Sequence, residues 1–308
     1  MIVSPPITSE AMIDAMNAVF GRHPGFRTLH AKGTLCTGTF TPTAEGGRLT
    51  RAAHMQGPAV EATARLSNGS GDPGTPDYAP GVRGLATTFQ LPDTSHTDIV
   101  AQTSPRFPVR TPEAFIALTR ASRPGLARLW RLPAFLARHP GAAPGLAAAA
   151  ATTKPPPSYA TCRFYAIHAY RWVDSGGDAR YVRYAWIPEA SEPPISTRQA
   201  RERGPDYLKI ELRERLAREP VRFALELQIA AEGDAVDDPA AAWPDERETV
   251  VAGTLELNRT NGASPGAEGD SLVFDPARVT DGIELSDDPI LRFRPGAYSV
   301  SHERRTSA

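Results

Sequence analysis

Residues 162–188 read "CRFYAIHAYRWVDSGGDARYVRYAWIP". Aromatic and aliphatic residues recur at alternate positions on both sides of "DSGGD", and the glycine-centred cluster turns the chain between the two arms. This pattern predicts an antiparallel hairpin with one face turned to a core. The same character extends outward from it. Downstream lie "VRFALELQIAA" (221–231) and "ETVVAGTLELNR" (248–259), and upstream lie segments 34–41, 59–67, 82–90 and 97–101. Turn clusters such as "SNGSGDPGTPDYAPG" separate them. About eight antiparallel strands predict an α+β fold, an eight-stranded antiparallel β-barrel with peripheral helices.

The helices are read from capping and spacing. "TSEAMIDAMNAVF" (8–20) opens on a Thr/Ser cap and puts Met12, Met16, Val19 and Phe20 on one face. Residues 112–139 predict two short helices broken at Pro124 and Pro133, and the low-complexity stretch 140–158 predicts an exposed connector. "PDYLKIELRERLAREP" (205–220) is amphipathic. "SDDPILRFRPGAYSVSHERR" (286–305) starts on a Ser/Asp cap and is rich in arginine. No internal repeat or linker between two cores occurs, so residues 1–308 read as one domain, with the barrel core at about 25–260 and the last helix at about 286–305.

Composition narrows the function classes. The 34 basic and 35 acidic residues balance, which argues against a nucleic-acid or membrane surface as partner. Cys36 and Cys162 are far apart without ligand spacing and are expected to stay reduced as small buried hydrophobes in a cytoplasmic protein. No apolar run reaches the roughly 18 residues of a spanning helix, and the N-terminus lacks the features of a secretory leader. P-loop, HExxH and CxxC patterns are absent, and no two of the seven histidines share i, i+4 spacing. The pairs Asp237–Asp238 and Asp287–Asp288 read as caps and solvated charges.

Two short elements stand out. In "RTLHAKG", Arg27, His30 and Gly33 precede a strand. In "RPGAY", Arg294 lies four residues before Tyr298, so on a helix the guanidinium reaches the phenol oxygen. A cation there favours the phenolate, a hard anionic ligand, and tyrosine is the axial haem ligand of catalase.

These elements resemble those of the haem catalase superfamily. "RTLHAKG" is similar to its distal "RxxHAxG", "VEATARLSNGSGDP" to the strand that follows, and "GVRGLATTFQ" to "PRGFAxKF". "DIVAQTSPRFPVRTPEAF" resembles "DLVGNNTPxFFxRDPxxF". "PDYLKIELRERL", "GTLELNR" and "FDPARVTDGIELSDDPILRFRPGAY" follow in the family's order. The likeness spans roughly residues 25–305, without the family's long arm, wrapping region and C-terminal parts, and so resembles the minimal subgroup of catalase-related peroxidases. The resemblance implies haem b, with His30 as distal acid–base, Ser67 as its hydrogen-bond partner and Gln102 in place of the family's distal asparagine. It implies Tyr298 as iron ligand with Arg294 as its charge partner. Arg27, Arg65 and Arg305 match propionate-binding arginines, Phe115 an aromatic over the haem and Phe107 one lining the channel. Pro295 and Gly296 depart from an ordinary helix.

The expected function is a peroxidase that reduces organic hydroperoxides and hydrogen peroxide with a small organic electron donor. Little catalase turnover is expected, because of Gln102 and the missing peripheral regions; a homodimer is the expected assembly. Two alternatives stay open: a fatty-acid hydroperoxide isomerase or dehydratase similar to allene oxide synthases, and a non-enzymatic barrel that carries haem or lipid.

Overall fold

The computed structural model describes residues 7–261 and 272–307; the first six residues of the N-terminal stretch tested for a leader lie outside these. The strands are β1 (Gly33–Pro42), β2 (Val60–Asn68), β3 (Arg83–Gln90), β4 (His96–Gln102), β5 (Phe164–Val173), β6 (Ala179–Pro188), β7 (Val221–Ile229), β8 (Thr249–Thr260) and β9 (Ile283–Leu285). The helices are α1 (Ser9–Phe20), α2 (Ala44–Leu49), α3 (Pro112–Ala121), α4 (Arg128–Arg138), α5 (Ala143–Ala151), α6 (Thr197–Glu202), α7 (Tyr207–Leu216) and α8 (Pro289–Thr306). Strands pair in the order β4-β3-β2-β1-β8-β7-β6-β5, and the pair Gln102↔Tyr165 joins β4 to β5. The sheet is thus a closed antiparallel barrel of eight strands, with short β9 added beside β5. Closure removes the free edges that would otherwise template aggregation.

The predicted hairpin is β5–β6, and its aromatics fill the barrel: Phe164, Tyr170, Trp172 and Trp186 are buried together with Phe40, Phe89 and Phe223. In β7 the alternation is plain. Val221, Phe223, Leu225 and Leu227 point inward, while Arg222 is exposed. Burying each such side chain contributes roughly 1.5–3 kcal/mol. Both cysteines are buried free thiols, and burial pushes each up to about 12.

β2 differs from a one-faced strand. Ala64 and Leu66 join the barrel core, while Arg65 and Ser67, which alternate with them, are also buried, on the outer face. That outer face is covered by α1, α3 and α8. Met12, Ile13 and Met16 of α1 pack with Ile116 of α3 and with Phe293, Ala297 and Val300 of α8. The space left between this helical cover and strands β2–β4 holds the candidate site.

Three local expectations are corrected. Pro133 lies inside α4 and does not break it; the helix forgoes one hydrogen bond there, and buried Phe135 holds it against Val109 and Leu118. Residues 143–151, within the expected connector, form α5, because alanine has the highest helix propensity. Pro295 and Gly296 lie within an unbroken α8, where a Cβ on Gly296 would collide with Ser9 Oγ of α1. The glycine is therefore a close-approach position between two helices.

Candidate active site

The register of the sheet assembles one wall. Gly33 pairs with Ser67, Ser67 with Gly84, and Gly84 with Gln102, so these four residues form a row across β1–β4. Directly opposed residues of antiparallel strands share a face. Two glycines in the row clear space beside two polar side chains. His30 enters just before β1, with φ 55°. That left-handed conformation is uncommon for a residue with a Cβ and costs on the order of 1–3 kcal/mol.

Arg65 holds the strained backbone in place. Its Nη1 donates to the His30 carbonyl at 2.8 Å, and its Nη2 donates to the Ala31 carbonyl at 3.1 Å. A Cβ at position 33 would lie 2.5 Å from the Arg65 guanidinium carbon, so a larger residue there would push the guanidinium off these two carbonyls. The imidazole is fixed as well: His30 Nδ1 and Ser67 Oγ are 3.0 Å apart, which leaves Nε2 as the free ring nitrogen. Burial, reinforced by the positive charges of Arg65, Arg294, Arg27 and Arg83, pushes the His30 pKa down to about 3. The ring is therefore neutral near pH 7.

α8 builds the opposite side. Arg294 Nη2 donates to the Tyr298 hydroxyl oxygen at 2.5 Å, as the i, i+4 spacing requires. Arg294 Nη1 also lies 2.9 Å from His168 Nε2, and His168 Nδ1 lies 2.6 Å from Asp288 Oδ2. Arginine can only donate, so Nε2 accepts and Nδ1 carries the hydrogen that it gives to Asp288. Burial holds His168 below its usual range against the pull of Asp288. Asp288 also caps α8, its Oδ1 accepting from the backbone N–H groups of Ile290 and Leu291 at 2.8 and 3.1 Å.

His168 and Asp288 were not singled out from the sequence. They are 120 residues apart, and no spacing links a strand histidine to a helix cap. The expectation of a solvated charge fails for Asp288, which is 1% exposed because the imidazole and the helix N-terminus share its two oxygens. Gly84 was likewise visible only through the register.

All nine candidate residues line a single cavity of about 380 Å³: Arg27, His30, Arg65, Ser67, Gln102, Phe115, Arg294, Tyr298 and Arg305. Its remaining walls are largely apolar, with Met12, Met16, Phe107, Ile167 and Phe293 among them. The Phe115 and Phe107 rings stack obliquely at 4.9 Å. Arg27 Nη2 donates to the Leu272 carbonyl at 2.7 Å, and Arg305 Nη2 donates to His302 Nδ1 at 2.9 Å. Both arginines also line a second cavity of about 320 Å³, so they stand where the two cavities meet. Gln102 Nε2 lies 3.4 Å from the Ser104 carbonyl, a long contact that leaves the amide free to engage a ligand. A flat apolar group bearing carboxylates suits this donor set: three arginines for the carboxylates, apolar walls for the plane, a neutral imidazole and an arginine-held phenol for its centre.

Comparison with known proteins points the same way. The family model described as catalase matches residues 11–308. The chain is similar to a catalase-related peroxidase of Mycolicibacterium paratuberculosis, with 46% identity over 99% of this chain and 96% of the relative. It is also similar to a catalase-related peroxidase of Synechococcus elongatus, with 32% identity over 97% of this chain and 89% of the relative. A fungal catalase crystal structure shares the fold, with TM-score 0.80 and 23% identity, over 93% of this chain and 60% of that one. Among the described residues no helix is long and apolar enough to cross a membrane. With matches to the family model over nearly its whole length, the chain belongs to the catalase family.

Proposed function

We propose that the protein is a haem b peroxidase that reduces organic hydroperoxides and hydrogen peroxide at the expense of a small organic electron donor, with little catalase turnover. The observation that carries this reading is the pairing, within one cavity, of a neutral, half-buried His30 with a phenol held by Arg294. Family membership implies haem, and the cavity's donor set suits it. When bound, haem supplies an iron centre that takes two oxidising equivalents from a peroxide and passes them on singly to a donor.

Tyr298 is the residue that would hold the iron, its oxygen kept in place by the Arg294 hydrogen bond. Arg27, Arg65 and Arg305 would hold the propionates. His30 Nε2 would take a proton from the bound peroxide and return it to the oxygen that departs as water or alcohol. Ser67 keeps the ring turned so that Nε2 faces the cavity. Gln102 offers an amide that orients the peroxide from a longer side chain than asparagine has, which weakens the second peroxide encounter that dioxygen release needs. The apolar walls around Phe107 and Phe115 would take the alkyl group of an organic hydroperoxide.

The test is donor oxidation driven by cumene hydroperoxide. His30→Ala, at unchanged haem content, lowers its rate by about 10²–10⁴-fold, the scale of a positioned acid–base group. Dioxygen release at half the hydrogen peroxide consumed, with no donor oxidised, would contradict the proposal.

A further inference from the structure

We propose that the outward face of α4 docks on anionic phospholipid bilayers. Leu126, Leu129 and Trp130 are 80%, 73% and 62% exposed, the three most exposed large apolar side chains among the described residues. They fall within five consecutive positions. Pro133, Ala134 and Ala137 continue the exposed side of the helix, while Phe135 on the other side is buried against Val109 and Leu118. A helix at a water boundary ordinarily turns polar residues outward, whereas α4 turns an apolar side outward and carries Arg128, Arg131 and Arg138 on the side that Phe135 shares.

The surrounding charge identifies the occupant. Arg120, Arg123, Arg128 and Arg138 are exposed and Arg131 half-buried, and no Asp or Glu occurs from Ala114 to Val173. The arginines on either side of these five are paired, Arg110 with Asp238 and Arg163 with Glu226. Among the described residues none of the five between them has a carboxylate partner; Arg131 and Arg138 donate instead to the carbonyls of Arg123 and Ala134. Near-zero net charge, from which the sequence excludes a membrane surface, averages this basic segment against acids elsewhere. Exposed Leu and Trp bordered by arginines is the composition that seats a helix at a headgroup boundary, the aliphatic stems buried and the guanidinium groups on lipid phosphates. The face contributes no residue to either cavity, so it offers a ridge for a bilayer and no groove for a peptide.

The buried side of α4 packs toward Phe107 and Phe115, which also line the candidate site. Docking would set that wall against a layer of acyl chains, a source of organic hydroperoxides. That use rests on the peroxidase reading, whereas the docking itself does not.

The experiment uses the haem-loaded full chain with vesicles of phosphatidylcholine alone or with three-tenths phosphatidylglycerol. Trp172, Trp186 and Trp243 are buried, so Trp130 alone of the four tryptophans can meet lipid, and brominated acyl chains report its contact by quenching. The expected result is co-sedimentation with the anionic vesicles, quenching of Trp130 and at least tenfold weaker partitioning at high salt. Leu129→Ser with Trp130→Ser abolishes binding and leaves the absorption spectrum and the turnover of soluble cumene hydroperoxide unchanged. Failure of the wild type to sediment with anionic vesicles would overturn the proposal, as would undiminished binding by the double variant. So would self-association of the lipid-free wild type that the double variant loses, since the face would then be an interface between copies of the chain.

Discussion

Gly84 is the space that the His30 imidazole occupies. A Cβ at position 84 would lie 2.8 Å from both His30 Nδ1 and Cε1, and 2.9 Å from Ser67 Oγ. Neither neighbour can yield without moving the ring. Gly84→Ala therefore displaces His30 while leaving the proposed haem-holding residues untouched. The expected effect is a fall of about 10²-fold in the rate of reaction with peroxide, the usual penalty of misplacing a reacting group by about 1 Å. Stopped-flow mixing of the haem-loaded variant with cumene hydroperoxide, at haem content equal to wild type, checks it.

The neutrality of His30 sets the pH profile. A base held down at about 3 stays competent throughout the range in which an ordinary histidine is half protonated. The bimolecular rate with peroxide should be level from pH 8 to about 4. An inflection near 6.5 would show that the ring titrates as an exposed histidine does.

His54 predicts a pH dependence of stability. Its ring stacks on Phe89 at 5.1 Å inside the barrel, its Nδ1 has no hydrogen-bond partner among the described residues, and burial pushes it down to about 4. The unfolded chain takes up this proton near 6.5 and the folded chain only near 4, so the unfolded state binds more protons in between. Stability is then complete above pH 6.5 and falls as the pH drops toward 4, by about 3 kcal/mol from this one group. His54→Phe should flatten the curve by that amount, as measured by urea unfolding at pH 7.5, 5.5 and 4.5.

Asp288→Asn tests the tautomer argument. Asparagine has one oxygen where Asp288 uses two, for the α8 cap and for His168. Capping turns its NH₂ toward the Nδ1–H; reversing the tautomer instead sets Nε2–H against Arg294. Either way two donors meet, at an expected cost of about 1–3 kcal/mol, readable as a shift in the unfolding midpoint. Asp288→Ala should cost more, because the cap is lost as well.

Gln102→Asn should move the balance between the two peroxide reactions. Shortening the side chain restores the family's distal amide, and one added hydrogen bond of about 1 kcal/mol corresponds to roughly five- to tenfold. Dioxygen evolution should rise by that factor relative to donor oxidation. An unchanged ratio would remove Gln102 from the account of reaction choice.

Much of the molecule is legible in its sequence where local pattern and tertiary packing agree. The hairpin at 164–188 has both its alternation and its turn cluster in view, and the Arg294–Tyr298 contact follows from spacing on one helix. What escapes is what depends on distant partners. The row from Gly33 to Gln102 exists only once four strands are in register. His168 and Asp288 meet only when β5 passes beneath the start of α8. Pro133 reads as a break because a missing N–H is local, whereas the Phe135 packing that outweighs it is not.

The central claim is that Tyr298 and His30 hold the two sides of one haem peroxidase site. The most direct measurement is the absorption spectrum of the protein purified with haem supplied, wild type beside Tyr298→Phe. The expected wild-type spectrum is that of ferric haem bound by a tyrosine oxygen, and in the variant that signature collapses. Identical spectra for the two proteins would contradict the claim.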